Sequence, residues 1–98
     1  MATFIVSITF TEQGMMNIQD TGKRAATLKA SAKKMGVKIT NIFWTLGAFD
    51  GLLIFEAPDD ETAAAMTLHI NSLGNVQTET SRAFTAPEMD KILAMSAK

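Results

Sequence analysis

The stretch VKITNIFWTLGAFDGLLIFEA, Val37 to Ala57, decides the architecture. Val37, Ile39 and Phe43 alternate with Ile42, Trp44 and Leu46, so Val37 to Leu46 is expected to be a β strand with apolar residues on both faces. The segment Gly47-Ala48-Phe49-Asp50-Gly51 is too short for a crossover and holds two glycines. Gly51 to Ala57 therefore returns antiparallel, as the second arm of a hairpin that Pro58 ends.

Each flank of this hairpin carries one helix and one strand, and the downstream flank adds a C-terminal helix. Upstream, Thr3 to Thr11 alternates Phe4, Val6, Ile8 and Phe10 with Ile5, Ser7 and Thr9, the pattern of a half-buried strand. After a turn at Thr11-Glu12-Gln13-Gly14, the recurrence of Ile18, Ala25, Leu28, Ala32 and Met35 predicts an amphipathic helix from about Met16 to Met35, closed by Gly36. Downstream, Asp59-Asp60-Glu61 sets carboxylates at a helix start, and Ala63, Met66, Ile70 and Leu73 form the buried stripe of a second helix that Gly74 stops. Asn75 to Phe84 alternates again, with Arg82 and Glu79 on opposite faces. Thr85-Ala86-Pro87-Glu88 has capping-box spacing and opens a C-terminal helix to about Met95.

This order is the split β-α-β arrangement of an α+β, ferredoxin-like βαββαβ fold with a C-terminal helix, in one domain over residues 1–98. Both helices lie on one sheet face. The other face is then left with apolar residues from Val37 to Leu46, and pairing two such faces in a homodimer or higher homo-oligomer is the natural way to cover them.

Composition removes several classes of function. Nine basic and ten acidic residues leave a net charge of −1, with no basic run to bind a phosphate backbone, so no nucleic acid is expected as a partner. Without cysteine there is no disulfide, thiolate metal site or cysteine nucleophile. The longest apolar runs are four residues, as from Leu52 to Phe55, against the roughly 20 that a membrane span needs. No secretory pattern precedes the first strand, and a soluble cytoplasmic protein is the expectation. Neither nucleotide-binding glycine pattern is present, and no serine has a nucleophile-elbow setting.

Several motifs together resemble the GYD domain family, placed among the dimeric α/β barrels and named for a Gly-Tyr-Asp motif. They are Trp44-Thr45-Leu46-Gly47-Ala48-Phe49-Asp50, Phe55-Glu56-Ala57-Pro58-Asp59-Asp60, Leu73-Gly74-Asn75-Val76-Gln77-Thr78-Glu79-Thr80 and Arg82-Ala83-Phe84. Phe10-Thr11-Glu12-Gln13-Gly14 and Met35-Gly36-Val37 extend the likeness over nearly the whole chain. Phe49 stands where the family's tyrosine would be, and the chain has no tyrosine at all, so no phenol acts here. The resemblance implies fold and association, and no particular reaction.

Four residues are the candidates for a ligand site: Trp44 and Phe49 to enclose a small apolar molecule, Asp50 and His69 to orient it. Asp50 can equally be a turn carboxylate that accepts backbone N–H groups. His69, the only histidine, sits at the edge of the second helix's apolar stripe, where it is either a boundary residue or, as in some dimeric α/β barrels, a haem ligand. No metal site is expected, because helix capping accounts for Asp59, Asp60 and Glu61. Two functions stay open at this point. One is a non-enzymatic or accessory module that binds a small apolar molecule or a partner without a cofactor. The other is a cofactor-free or haem-dependent oxidoreductase of the dimeric α/β barrel kind.

Overall fold

The computed structural model describes residues 1–97. Its elements follow the order β1 (Ala2–Phe10), α1 (Glu12–Met16), a 3-10 turn (Ile18–Asp20), α2 (Thr21–Lys34), β2 (Lys38–Trp44), β3 (Gly51–Ala57), α3 (Asp60–Ser72), β4 (Val76–Ala83) and α4 (Ala86–Ser96). The four strands form one sheet in the order β2-β3-β1-β4, and every neighbouring pair is antiparallel. This is the ferredoxin-like α+β arrangement. Among the described residues no helix is long and apolar enough to cross a membrane.

Register sorts the side chains between two faces. Phe4 is opposite Phe55 and Val6 opposite Leu53, and these four are buried with Ala32, Val37, Ala57, Ala63, Met66 and Ile70. Phe4 and Phe55 stack at 5.2 Å between ring centroids, a geometry that adds to the apolar area they bury. The core thus lies between the sheet and the pair α2 and α3, and Asn71 of α3 reaches down to donate to Thr78 Oγ1 of β4 at 2.7 Å. Leu53, Phe55 and Met66 are fully enclosed, so truncating any of them to alanine would cost about 2–5 kcal/mol.

The opposite face presents Phe43, Leu52, Ile54 and Ile5 in adjoining positions of β2, β3 and β1. Ile5 pairs with Ile54, and Phe43 pairs with Leu52. Lys38, Glu56 and Glu79 surround this stripe. Phe43 is 49% exposed, and no residue of α4 is buried.

Three local expectations are corrected. The first helix is not continuous from Met16 to Met35, because short polar side chains compete for the backbone at its start. Asn17 Nδ2 donates to the Gln13 carbonyl, and Thr21 Oγ1 donates to the Ile18 carbonyl. The regular helix begins only at Thr21. In β2 an irregularity between Ile39 and Asn41 inserts Thr40, whose hydroxyl donates to the Ile54 carbonyl at 3.1 Å. That β-bulge shifts the alternation, so Ile39, Ile42 and Trp44 share the helix side and Phe43 faces away from it. The strand also stops at Trp44, two residues early, and Leu46 is fully exposed in the turn.

Candidate functional site

Three of the sequence motifs converge where β1 ends. In the hairpin turn, Asp50 donates its N–H to the Ile8 carbonyl at 2.8 Å and accepts the Phe10 N–H on Oδ2 at 2.9 Å. The carboxylate continues the β1–β3 ladder one step past Gly51, the last paired residue. Thr45 closes the turn from the other arm, its N–H to the Asp50 carbonyl and its hydroxyl to the Phe49 carbonyl. Gly51 must be small, since a Cβ there would lie 3.1 Å from the Phe43 carbonyl oxygen and against Ile8. Gly47 has φ +153°, a conformation that L side chains rarely adopt.

The other two motifs clasp each other across more than sixty residues. Thr11 N–H donates to the Asn75 carbonyl at 3.0 Å, and its hydroxyl donates to the Gly74 carbonyl at 2.6 Å. The same Thr11 oxygen caps α1 by accepting the Gly14 N–H. Gln13 Nε2 reaches the Leu73 carbonyl and Asn75 Oδ1 at 3.0 and 3.1 Å. Gly14 lies directly on this segment, with the place of a Cβ only 2.0 Å from the Asn75 carbonyl oxygen. Gly74 takes φ +82° to end α3 and turn into β4.

Between these clasps and the helices lies a half-open cavity of about 110 Å³. Its wall is apolar, with Ile8 and Leu53 from the sheet, Leu28 from α2 and Ile70 from α3. Polar groups are few: Asp50, Thr21, Arg24 and Asn75. Arg24 is held in place, donating to the Asn17 carbonyl at 2.8 Å and to Thr21 Oγ1 at 3.2 Å.

Of the four residues singled out in the sequence, Trp44 and Asp50 line this cavity, whereas Phe49 and His69 are not part of its wall. Phe49 is half-buried in the hairpin turn. His69 is exposed in the last turn of α3, beside a shallow hollow shared with Lys23, Thr27 and Ser31. That hollow holds about 170 Å³. Among the described residues no three carboxylate or histidine side chains gather as a metal site would require.

Residues the sequence reading had not assigned to the site are Arg24, Thr21 and Asn75. Arg24 lies off the apolar periodicity of its helix, and Asn75 stood out only through the family likeness of Leu73-Gly74-Asn75. The break before Thr21, which periodicity alone does not locate, sets Thr21 and Arg24 at the cavity, and Asn75 is held there by Thr11 and Gln13.

A second polar cluster lies at the far end of β4. Arg82 donates to the Thr3 carbonyl at 3.2 Å and to the Ala83 carbonyl, lies 4.6 Å from the Phe84 ring centroid and 5.6 Å from that of Phe4, and pairs with Glu88 at 3.6 Å. Thr85 and Glu88 complete a reciprocal capping box, which holds the Glu88 carboxyl below its ordinary pKa, with the Arg82 charge as a lesser cause. The Asp59 carboxyl is lowered likewise by its hydrogen bonds to Thr62 at the start of α3. Both are surface caps.

The motif residues that converge at the end of β1 belong to a recognised pattern, for the GYD domain model matches residues 4–93. The chain belongs to the GYD domain family. A Thermus thermophilus protein described as a glutamine synthetase and cystathionine beta-lyase binding protein is 30% identical over 90 residues, covering 91% of this chain and 95% of that protein. A crystal structure of a protein from Thermus thermophilus superposes with a TM-score of 0.57 at 24% identity, over 88% of this chain and 96% of that one, a likeness in fold. Within this GYD domain, the TEQG, GAFD and LGN segments are the parts of one junction.

Proposed function

We propose that this GYD-domain chain is a non-enzymatic binding module that works as a homodimer and docks onto a partner enzyme. The observation that carries the reading is the apolar stripe of Phe43, Leu52, Ile54 and Ile5 on the face away from α2 and α3. Left in water such a patch is a liability, and burying it against a second copy uses the self-complementarity of a two-fold interface. The pairing of sheet faces is also what the dimeric α/β barrel resemblance implies.

The relative named for binding glutamine synthetase and cystathionine beta-lyase supports the docking half of the proposal, and those two enzymes are the first partners to test. The cytoplasm, where a metabolic enzyme would be met, is the proposed compartment. Titration of the chain against each purified enzyme should give saturable binding to at least one. No binding to either at about 10 μM, the range of weak specific association, would remove that assignment.

One observation favours the alternative of a cofactor-free enzyme: Asp50 stands at an apolar cavity. Yet among the described residues its one side-chain hydrogen bond is to a backbone N–H, with no second acid, base or nucleophile bonded to it, which suits holding and not proton transfer. Haem at His69 has no comparable observation behind it.

A further inference from the structure

We propose that the cavity between β1–β3 and the helices α2 and α3 binds a compact aromatic or branched aliphatic molecule that carries a single hydroxyl or amine donor, received by Asp50. The proposal goes beyond the binding-module reading and adds a small-molecule site to it.

Size sets the first limit. At about 110 Å³ the cavity is smaller than the apolar cavity of about 150 Å³ that accepts benzene, yet it is open on one side. A ring or a branched chain of similar bulk can enter with its polar end left at the mouth. Wall chemistry sets the second limit. Ile8, Leu28, Ile42, Leu53 and Ile70 make most of the wall apolar, and beside Asp50 the polar lining residues are Thr21, Arg24 and Asn75. Asp50 sets the third. The Phe10 N–H occupies Oδ2 and fixes the carboxylate plane, while Oδ1 has no hydrogen-bond partner among the described residues. An acceptor that is oriented, unoccupied and adjacent to an apolar chamber selects a ligand with one donor over an apolar molecule of the same bulk.

Trp44 makes the test direct, because it is the only tryptophan in the chain and lines the cavity. Phenol, benzylamine and toluene are titrated against the protein while Trp44 emission is followed. Amide shifts of Leu28, Ile42 and Leu53 locate the site. Phenol or benzylamine should saturate with a Kd of the order of 1 mM, the affinity expected of so small a molecule, and toluene should bind about tenfold more weakly.

Asp50→Asn can keep its amide oxygen on the Phe10 N–H, and it then turns an NH2 donor toward the cavity, so the preference for benzylamine, whose ammonium can only donate, over toluene should vanish. Ala25→Met fills the cavity from α2 and should abolish saturation. Equal binding of phenol and toluene by the wild type overturns the assignment, as do non-saturating emission changes or shifts confined to the face of Ile5 and Ile54. A wild-type dimer that binds none of the probes ends this proposal and leaves the binding-module reading intact. A monomer that binds them does the reverse.

Discussion

Gly14 is the residue where an added methyl group should do most damage. It packs the middle of α1 against the backbone of the α3–β4 connection, and an alanine Cβ would sit 2.0 Å from the Asn75 carbonyl oxygen and 3.0 Å from its carbon. Both atoms are main chain, and the same carbonyl accepts the Thr11 N–H, so no side chain can swing aside. To clear van der Waals contact, α1 must lift by more than an ångström, which breaks the Thr11 and Gln13 bonds to Leu73, Gly74 and Asn75. Overpacking against an immovable neighbour together with lost hydrogen bonds amounts to about 2–4 kcal/mol.

For a domain of this size that is a fall in Tm of roughly 10–25 °C. The control lies in the same stretch of chain. Gly22, in the first turn of α2, has nothing within 4 Å of its would-be Cβ, so Gly22→Ala should stabilise by up to about 1 kcal/mol through helix propensity. Thermal melts followed by circular dichroism read both. If Gly14→Ala melts within a few degrees of wild type, the clasp between α1 and Asn75 is not a structural contact.

Gly47→Val should lose about 1–3 kcal/mol because its φ of +153° strains a branched residue, whereas Asp50→Asn, which keeps an acceptor for Phe10, should lose under about 1; the reverse order in urea melts would reject the turn geometry. The Glu88 carboxyl is held below its ordinary 4.5, first by the Thr85 N–H, so its capping of α4 is complete above pH 4.5 and is lost as pH falls through the lowered value. In Glu88→Gln the acid-side change in Thr85 amide protection should disappear; persistence of that change would place its cause elsewhere. Leu53→Ala, deep between sheet and helices, should cost about 2–5 kcal/mol, while Leu52→Ala, its neighbour on the opposite face, should cost the isolated fold far less and weaken self-association instead. Equal losses in both variants by denaturant titration at low protein concentration would contradict the assignment of faces.

Much of the architecture is legible in the sequence because its signals are local. Alternation marks Phe4, Val6 and Ile8, the short glycine turn forces an antiparallel return to Leu53 and Phe55, and the Thr85–Glu88 spacing announces the capping box that forms. What is not legible depends on a single extra residue or a distant partner. Strict alternation cannot foresee that Thr40 bulges out of β2, and from that bulge onward every expected facing is inverted.

The helix break is hidden because Ile18 fits the apolar period by accident of spacing while Asn17 and Thr21 take backbone partners for themselves. In the candidate site, Asp50 and Trp44 are visible through the turn they flank. Asn75 joins them only once Thr11 and Gln13 have tied the α3–β4 connection to the end of β1, and Arg24 only because the regular helix begins at Thr21. His69 points to the limit of a one-residue clue: its helix position is read correctly, yet periodicity carries no information on which hollow a boundary residue borders.

The central claim is that the Phe43, Leu52, Ile54 and Ile5 face is buried against a second copy, and the mass in solution tests it most directly. Sedimentation velocity of the wild type and of Ile54→Lys, both at micromolar concentration, separates the cases, since Ile54 lies outside the core and its lysine variant should fold. The wild type should sediment at twice the 10.6 kDa chain mass and Ile54→Lys at that mass itself. A wild-type chain that stays at 10.6 kDa across the concentration range, or a variant that associates as the wild type does, would contradict it.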